Sequence, residues 1–432
     1  MLTEEQRKRA FNAIIITQCL GMITAALFQN GFYLSYFTKL GLSSAGIAFL
    51  FALPPLLGAG LMLPFAFYAD RMGKKKLALV GQALLIASLL IIMAAGMGAT
   101  RLALPLIVVS LLFFCVGGSL QGASWFALLG PIIPVKTRGR FFGRLRVTFT
   151  TVCILFTVLI SRILKSSQSM TAFQMLLGVV VVAAVIRFFT YARIPELENA
   201  EGEAHRQRFP QALKAVLAVP GFLQFTGYVF LITLFTAGVP IIFGLMQKDV
   251  FLFSASQITW VGMLFLAGGV AGNLLGGRAV DRFGTRIVFL LAHISYAVVI
   301  LAMLARHWMP WSLPAHAAGC SFLFSMVGAT AGVAVTSELL GLIPASNKSL
   351  STSVNMSLFN LAIALSQLFV ARSISWDVLA TDWQMLGQSY SAYDTLLLAF
   401  ATLTLLMLAS IGLVPKIAKK AQLMPGSGYP RM

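Results

Sequence analysis

A chain of 432 residues that is 59% hydrophobic and only 10% charged is not a water-exposed globule, because soluble domains carry about 25% charged residues. A net charge of +19 is no nucleic-acid footprint either, since the basic residues sit in short clusters between apolar runs and nowhere interleave with aromatics on a polar surface. The apolar runs are about 20 to 27 residues long, the length of a helix that crosses hydrocarbon, and mean hydropathy is +0.88.

The chain opens with Arg7, Lys8 and Arg9, followed by an apolar stretch from Phe11 to Phe37. That stretch is too long for the core of a cleaved signal peptide and predicts a retained first crossing. Further crossings are predicted over 45–69, 77–99, 104–130, 147–164 and 172–192. A second set follows over 219–246, 255–279, 287–306, 313–339, 351–372 and 393–414. The organisation expected is a six-helix half, 1–192, a polar linker, 193–218, a second half, 219–415, and a tail, 416–432. Within the linker, Phe209 to Lys214 reads as a short interfacial helix. With the N-terminus inside, the outer loops hold seven cations (Lys39, Arg101, Arg162, Lys165, Lys248, Arg306 and Arg372), and the inner side holds the other 25. That asymmetry puts both termini in the cytoplasm of an inner or plasma membrane. Cys19, Cys115, Cys153 and Cys320 all lie in apolar runs with no close pair, so they read as small apolar residues and not as a disulfide framework or metal site.

A repeat organises the chain. After the second crossing stand Asp70, Arg71, Gly73 and Lys75; after the eighth stand Asp281, Arg282, Gly284 and Arg286. Both copies read Asp-Arg-x-Gly-x-[Lys/Arg], 211 residues apart. Gly122 precedes Pro134 by the same interval as Gly332 precedes Pro344. Duplication in register points to a transporter built from parallel repeats. A carboxylate at a helix end beside cations can be fastened in one arrangement of the halves and released in another, and glycine permits the tight turn between antiparallel helices.

These motifs resemble the loop between helices 2 and 3 of the major facilitator superfamily, G-x-x-x-D-R-x-G-R-[RK]. The second copy keeps the leading glycine as Gly277, whereas the first has Ala66 there. The Arg138, Gly139, Arg140 and Gly143 pattern after the fourth crossing is similar to the family's R-G-R-x-x-G. The resemblance implies an all-α integral membrane fold of twelve transmembrane helices, in two six-helix halves around a central cavity. It also implies a gating role for Asp70, Arg71, Gly73, Asp281, Arg282, Gly284, Arg138 and Arg140.

None of the thirteen acidic residues lies near the middle of a predicted crossing. Intramembrane carboxylates are the usual proton or sodium relays, so the candidates for coupling reduce to Glu338, Asp394 and His293, with an interhelical hydrogen bond as the plainer role for His293. The position where proton-coupled exporters of this family often carry an arginine, three residues before Gln121 and Gly122, holds Gly118, and Val147 to Leu164 lacks the glycines and proline of their fifth helix. Neutral polar residues do share helix faces: Gln18, Gln29, Tyr33 and Tyr36 on helix 1, Gln121, Ser124 and Trp125 on helix 4. Gln224, Tyr228 and Phe235 do so on helix 7, and Ser353, Asn360 and Gln367 recur every seven residues on helix 11. Since helices 1, 4 and 7 line the cavity in the family and helix 11 borders it, Gln29, Gln121, Trp125, Tyr228 and Asn360 are the cavity residues expected. An amide facing lipid would be unsatisfied at a cost of several kcal/mol; the alternative is that each amide ties two helices together.

No enzyme constellation, nucleotide loop, metal site or cofactor motif is present. The function expected is secondary transport of a small organic solute by a monomer in the bilayer, through alternating access. The alternatives are an uncoupled exchanger or facilitator, and a non-transporting sensor or assembly partner, which would have a plugged cavity.

Overall fold

The computed structural model describes residues 3–98, 100–129, 132–133, 138–197, 209–342, 348–376, 379 and 382–411. At 66–72, 100, 126–127, 138–140, 142–143, 209, 212, 340, 348–349 and 410–411 it describes the backbone alone. The tail 416–432, Pro134 and Pro344 therefore lie outside the described residues, as do the side chains of Asp70, Arg71, Arg138 and Arg140.

Helices dominate. The first six crossings are α1 (Glu4–Gln29) continued by α2 (Phe32–Lys39), then α3 (Ser44–Met72), α4 (Lys74–Ala95), α5 (Thr100–Leu129), α6 (Arg138–Ser166) and α7 (Met170–Ala192). A short α8 (Phe209–Leu217) follows, on the stretch read as an interfacial helix. The seventh crossing is α9 (Phe222–Leu234) continued by α10 (Val239–Asp249), and the last five are α11 (Ala255–Leu304), α12 (Leu313–Leu342), α13 (Lys348–Ser375) and α14 (Ala392–Ile411). The 50-residue α11 is two crossings, because Gly284 interrupts it with φ 77° and ψ 161°. Among the described residues twelve crossings result, as expected.

Caps, not hydrophobicity, set several boundaries. Helix α1 starts seven residues before the apolar run because Thr3 and Gln6 form a capping box, Gln6 N donating to Thr3 Oγ1 at 3.2 Å and Thr3 N to Gln6 Oε1 at 3.0 Å. Ser254 and Gln257 start α11 in the same way. Before α14, strands β1 (Asp382–Met385) and β2 (Gln388–Ser391) pair antiparallel, with Trp383 opposite Tyr390. Leu386 and Gly387 turn the hairpin with φ of 52° and 74°, the positive values its two-residue turn demands. This hairpin was not predicted.

The burial pattern is that of a molecule in lipid. On α7, Met175, Val179, Val182, Ile186 and Phe189 are exposed at intervals of three and four, one continuous apolar stripe, while Phe173, Leu177, Val180 and Tyr191 are buried on the other side. Small residues bring helices close: a Cβ on Gly81 of α4 would stand 2.6 Å from the Gly117 carbonyl of α5. In the second six, Gly268, Gly272 and Gly276 of α11 let the backbone of α12 approach at Phe322, Met326 and Thr330. The first six crossings meet the second six through α3 against α13 and α6 against α11.

Candidate functional site

Two crossings are broken, and the breaks shape the site. In the first, Asn30 ends α1 and Gly31 takes φ 78°, which glycine alone adopts readily. Asn30 is fully buried; its Nδ2 donates to Thr157 Oγ1 of α6 at 3.0 Å, and its Oδ1 accepts from Phe32 N at 3.1 Å. In the seventh, α9 gives way to α10 across Phe235–Gly238, where Pro240 supplies no N–H to continue the ladder. Gly238 sits within 2.7–3.0 Å of Phe400, Val370 and Ser366, distances measured from where its Cβ would stand.

Between these breaks lies a cavity of about 480 Å³, the size of a small-molecule pocket. Its walls come from crossings 1 and 2 on one side and 7, 8, 10 and 11 on the other, so it lies between the two sets of six. Phe28, Phe51, Phe243 and Phe265 supply apolar surface, with Pro54 and Pro55 in the middle of α3. Four carboxamides also face it: Gln29, Gln247, Asn360 and Gln367.

The end of the molecule away from the N-terminus is closed over this cavity. Gly262 of α11 packs directly on the Asn30 backbone, and a Cβ on Gly31 would stand 2.5 Å from Ile258. Gly31, Ile258 and Gly262 thus form both the closure and a cavity wall. Further out, Ser44 of α3 donates to Asp249 Oδ2 at 2.6 Å and accepts from Lys248 Nζ at 2.8 Å. Lys248 also pairs with Asp249 Oδ1 at 2.5 Å, and Tyr393 Oη donates to Asp249 Oδ2. Ser161 of α6 bonds the Ser256 carbonyl of α11 at 3.0 Å. Asp249 therefore ties the two sets of six together.

Of the five cavity residues expected, Gln29 and Asn360 line the cavity. The other three do not. Trp125 packs on Tyr191, ring centroids 5.9 Å apart, in a first-half cluster with Ala10 and Ile14. Gln121 is half-buried on the same helix, away from the cavity wall. Tyr228 stands beside Phe289 and His293 in a second-half cluster, below the break that places Pro240 and Gln247 at the cavity.

None of the three coupling candidates is in the cavity wall. His293 Nδ1 donates to the Phe289 carbonyl at 2.7 Å, with Tyr228 Oη 3.4 Å away. Glu338 Oε2 accepts from Thr285 Oγ1 at 2.7 Å, immediately after Gly284. Asp394 is sealed in a two-pronged ion pair with Arg306 at 2.5 and 3.0 Å. Both duplicated loops take the same course: Gly73 has φ 89° and ψ 121°, as Gly284 has its extended, positive-φ geometry. In the first loop, Glu196 Oε1 accepts from the backbone N–H groups of Lys74 at 2.8 Å and Lys75 at 3.2 Å, capping α4.

The sequence reading did not find Gln247, one residue past the predicted end of its crossing, nor Ser321, nor Arg187. Arg187, counted only as an inner-side cation, is 7% exposed, with its guanidinium laid across Gly21 of α1. A signal was available in each case: an amide at the edge of an apolar run, and a hydroxyl and a cation inside one.

The sequence matches the Major Facilitator Superfamily over residues 14–366. The chain belongs to that superfamily. By sequence, no curated relative matched. Among solved structures, the D-xylose–proton symporter superposes with a TM-score of 0.72 at 11% identity, over 96% of this chain and 98% of that one. The xylose transporter XylE from E. coli, in a partially occluded inward-open conformation, gives 0.68 at 13% identity over 96% and 100%. The nucleoside transporter NupG gives 0.65 at 14% over 93% and 97%. At such identities the likeness is one of fold. Membership makes the chain an integral multi-pass membrane transporter, not an enzyme.

Proposed function

We propose that the protein moves a small organic solute across the membrane by exposing the central cavity alternately to its two sides. The observation that carries this reading is a cavity of about 480 Å³ between the two sets of six crossings, closed over at one end by residues from both. A non-transporting sensor was expected to have a plugged cavity, whereas this one has open volume. In this reading 1–192 and 219–415 rock against each other, with the duplicated loops at Gly73 and Gly284 on the gate opposite the closure. The excess of cations beside the termini supports a cytoplasmic placement of the linker. The test is flux in proteoliposomes: counterflow of a labelled solute that follows the reconstituted protein supports the reading, and flux no greater than in empty vesicles refutes it. Labelling of a cysteine at Gly202 by an impermeant maleimide in intact spheroplasts would overturn the topology.

A second reading concerns the driving force. No titratable side chain lines the cavity among the described residues, which favours uncoupled movement down the solute's own gradient. Replacing Glu338, Asp394 and His293 together by neutral residues tests it. Loss of a pH-gradient dependence present in the unmodified protein, in a variant that still folds and moves the solute, would show coupling through one of the three.

A further inference from the structure

We infer that the transported solute is uncharged and carries a hydroxyl-rich ring, the sugar ring that free monosaccharides and nucleosides share. This deepens the transport reading and rests on it.

Charge excludes most alternatives. No Asp, Glu, Lys, Arg or His lines the cavity among the described residues. A carboxylate or ammonium entering it would shed its water and meet no counter-charge, which a low-dielectric site does not tolerate. Organic acids, amino acids, polyamines and peptides with free termini all fall to this argument.

The carboxamides then select what is left. Each offers two N–H donors and a carbonyl acceptor, and a hydroxyl, which donates and accepts at once, can use both. These amides are not consumed by the protein. Gln367 Oε1 is buried with no hydrogen-bond partner. Asn360 Nδ2 reaches only the weakly accepting Met62 Sδ, at 3.5 Å. Gln29 and Gln247 line the same space, and Ser321 adds a hydroxyl. Gln29 belongs to the first set of six and the other three amides to the second, so a solute bonded to all of them bridges the halves. An apolar solute would leave this array unpaired, and a site built for hydroxyls rejects analogues lacking them by about 10⁴-fold or more. Phe28, Phe51, Phe243 and Phe265 provide the flat apolar surface on which the carbon face of a sugar ring, or a base, can lie.

Thermal unfolding of the full-length protein in nanodiscs, with millimolar D-xylose, D-glucose, uridine, adenosine, citrate, L-glutamate or L-lysine, tests the inference. At least one sugar or nucleoside is expected to raise Tm in a dose-dependent manner, and which of the two arms responds identifies the source of the ring. Gln367→Leu and Asn360→Leu should each weaken that ligand about tenfold, the scale of one lost hydrogen bond. Gln82→Leu, at a buried amide between helices outside the cavity, should leave the apparent affinity unchanged. Each variant's Tm without ligand reports whether it folds. Stabilisation by citrate, glutamate or lysine that Gln367→Leu abolishes overturns the proposed solute class, as does a response to no sugar and no nucleoside. The transport reading fails separately, if proteoliposomes move nothing from a whole-cell small-molecule extract.

Discussion

The two sets of six crossings fasten an equivalent joint with different chemistry. In the first, the end of crossing 3 is tied to its neighbours by neutral bonds: Tyr36 Oη donates to the Ile92 carbonyl at 2.8 Å, and Gln174 Nε2 of crossing 6 to the Met93 carbonyl at 3.0 Å. In the second, the corresponding joint between crossings 9 and 12 is the Arg306–Asp394 pair, with side chains 3% and 0% exposed. Ser391 donates both its N–H and its hydroxyl to Asp394 Oδ2 at 2.8 Å, and the Phe251 and Tyr390 rings flank the guanidinium at 5.6 and 5.5 Å. Both joints stand away from the cavity. Burial alone does not make a carboxylate a coupling group: Asp394 has a committed cation and committed donors, so the pair is a fastener.

The strongest way to break this comparison is Asp394→Asn. It leaves Arg306 buried without its counter-charge and should cost about 3–5 kcal/mol of stability, seen as a large fall in Tm in detergent. The pair replacement Arg306→Met with Asp394→Leu should recover most of that loss. Gln174→Met, at the neutral joint, should cost about 0.5–1.5 kcal/mol. Should Asp394→Asn abolish transport while leaving Tm unmoved, the carboxylate would be a coupling group after all.

The duplicated loops make the opposite comparison, alike in sequence and in backbone. Gly73 and Gly284 occupy the positive-φ, extended region that only glycine adopts readily, so Gly73→Ala and Gly284→Ala should each destabilise by about 1–3 kcal/mol. Equal losses of Tm would show that the two loops are equivalent elements. A loss confined to one would show that the other loop relaxes.

These glycines were legible in the sequence because a special backbone geometry restricts the residue, so the repeat preserves it. The crossings were legible because hydrocarbon requires apolar length. Gln29 and Asn360 could be placed because an amide at membrane depth needs a polar partner. Trp125, Gln121 and Tyr228 stand outside this cavity's wall because a helical arc gives direction around an axis but neither depth nor neighbour. The break at Phe235–Gly238 made matters worse for crossing 7, since it resets the helical phase and hands the cavity to Pro240 and Gln247. Arg187 was counted among the 25 inner-side cations because charge counting is blind to a cation drawn inward over a glycine.

The broken crossings sharpen the contrast between the halves further. Crossing 1 packs its break across the interface, on Gly262, whereas crossing 7 packs its own on Val370 and Phe400 within the same six. Gly262→Val should therefore prevent closure and reduce flux by at least about tenfold, equivalent to about 1.4 kcal/mol, with little loss of folded protein. Cysteines near Gly31 should become more accessible from that side. Gly238→Ala should instead lower Tm and leave the gating of surviving protein intact. Reversed outcomes would mean that the closure is not the contact described.

The smallest effect is expected at the carboxylates behind the two loops. Glu196 accepts two backbone N–H bonds at the start of α4, beneath three successive lysines, so it holds both the unpaired donors and the positive end of that helix. Glu338 accepts a single bond from the Thr285 hydroxyl, a weaker hold on the equivalent helix start. Glu196→Gln keeps an acceptor oxygen but removes the charge, and at a solvent-facing site this is worth about 0.3–1 kcal/mol. Glu338→Gln should cost less. Because the first contribution is electrostatic, raising the salt concentration should shrink the difference in Tm between the unmodified protein and Glu196→Gln, as screening removes the helix-end attraction. A difference in Tm that salt leaves unchanged would instead assign Glu196 a purely geometric cap, in which the charge has no part.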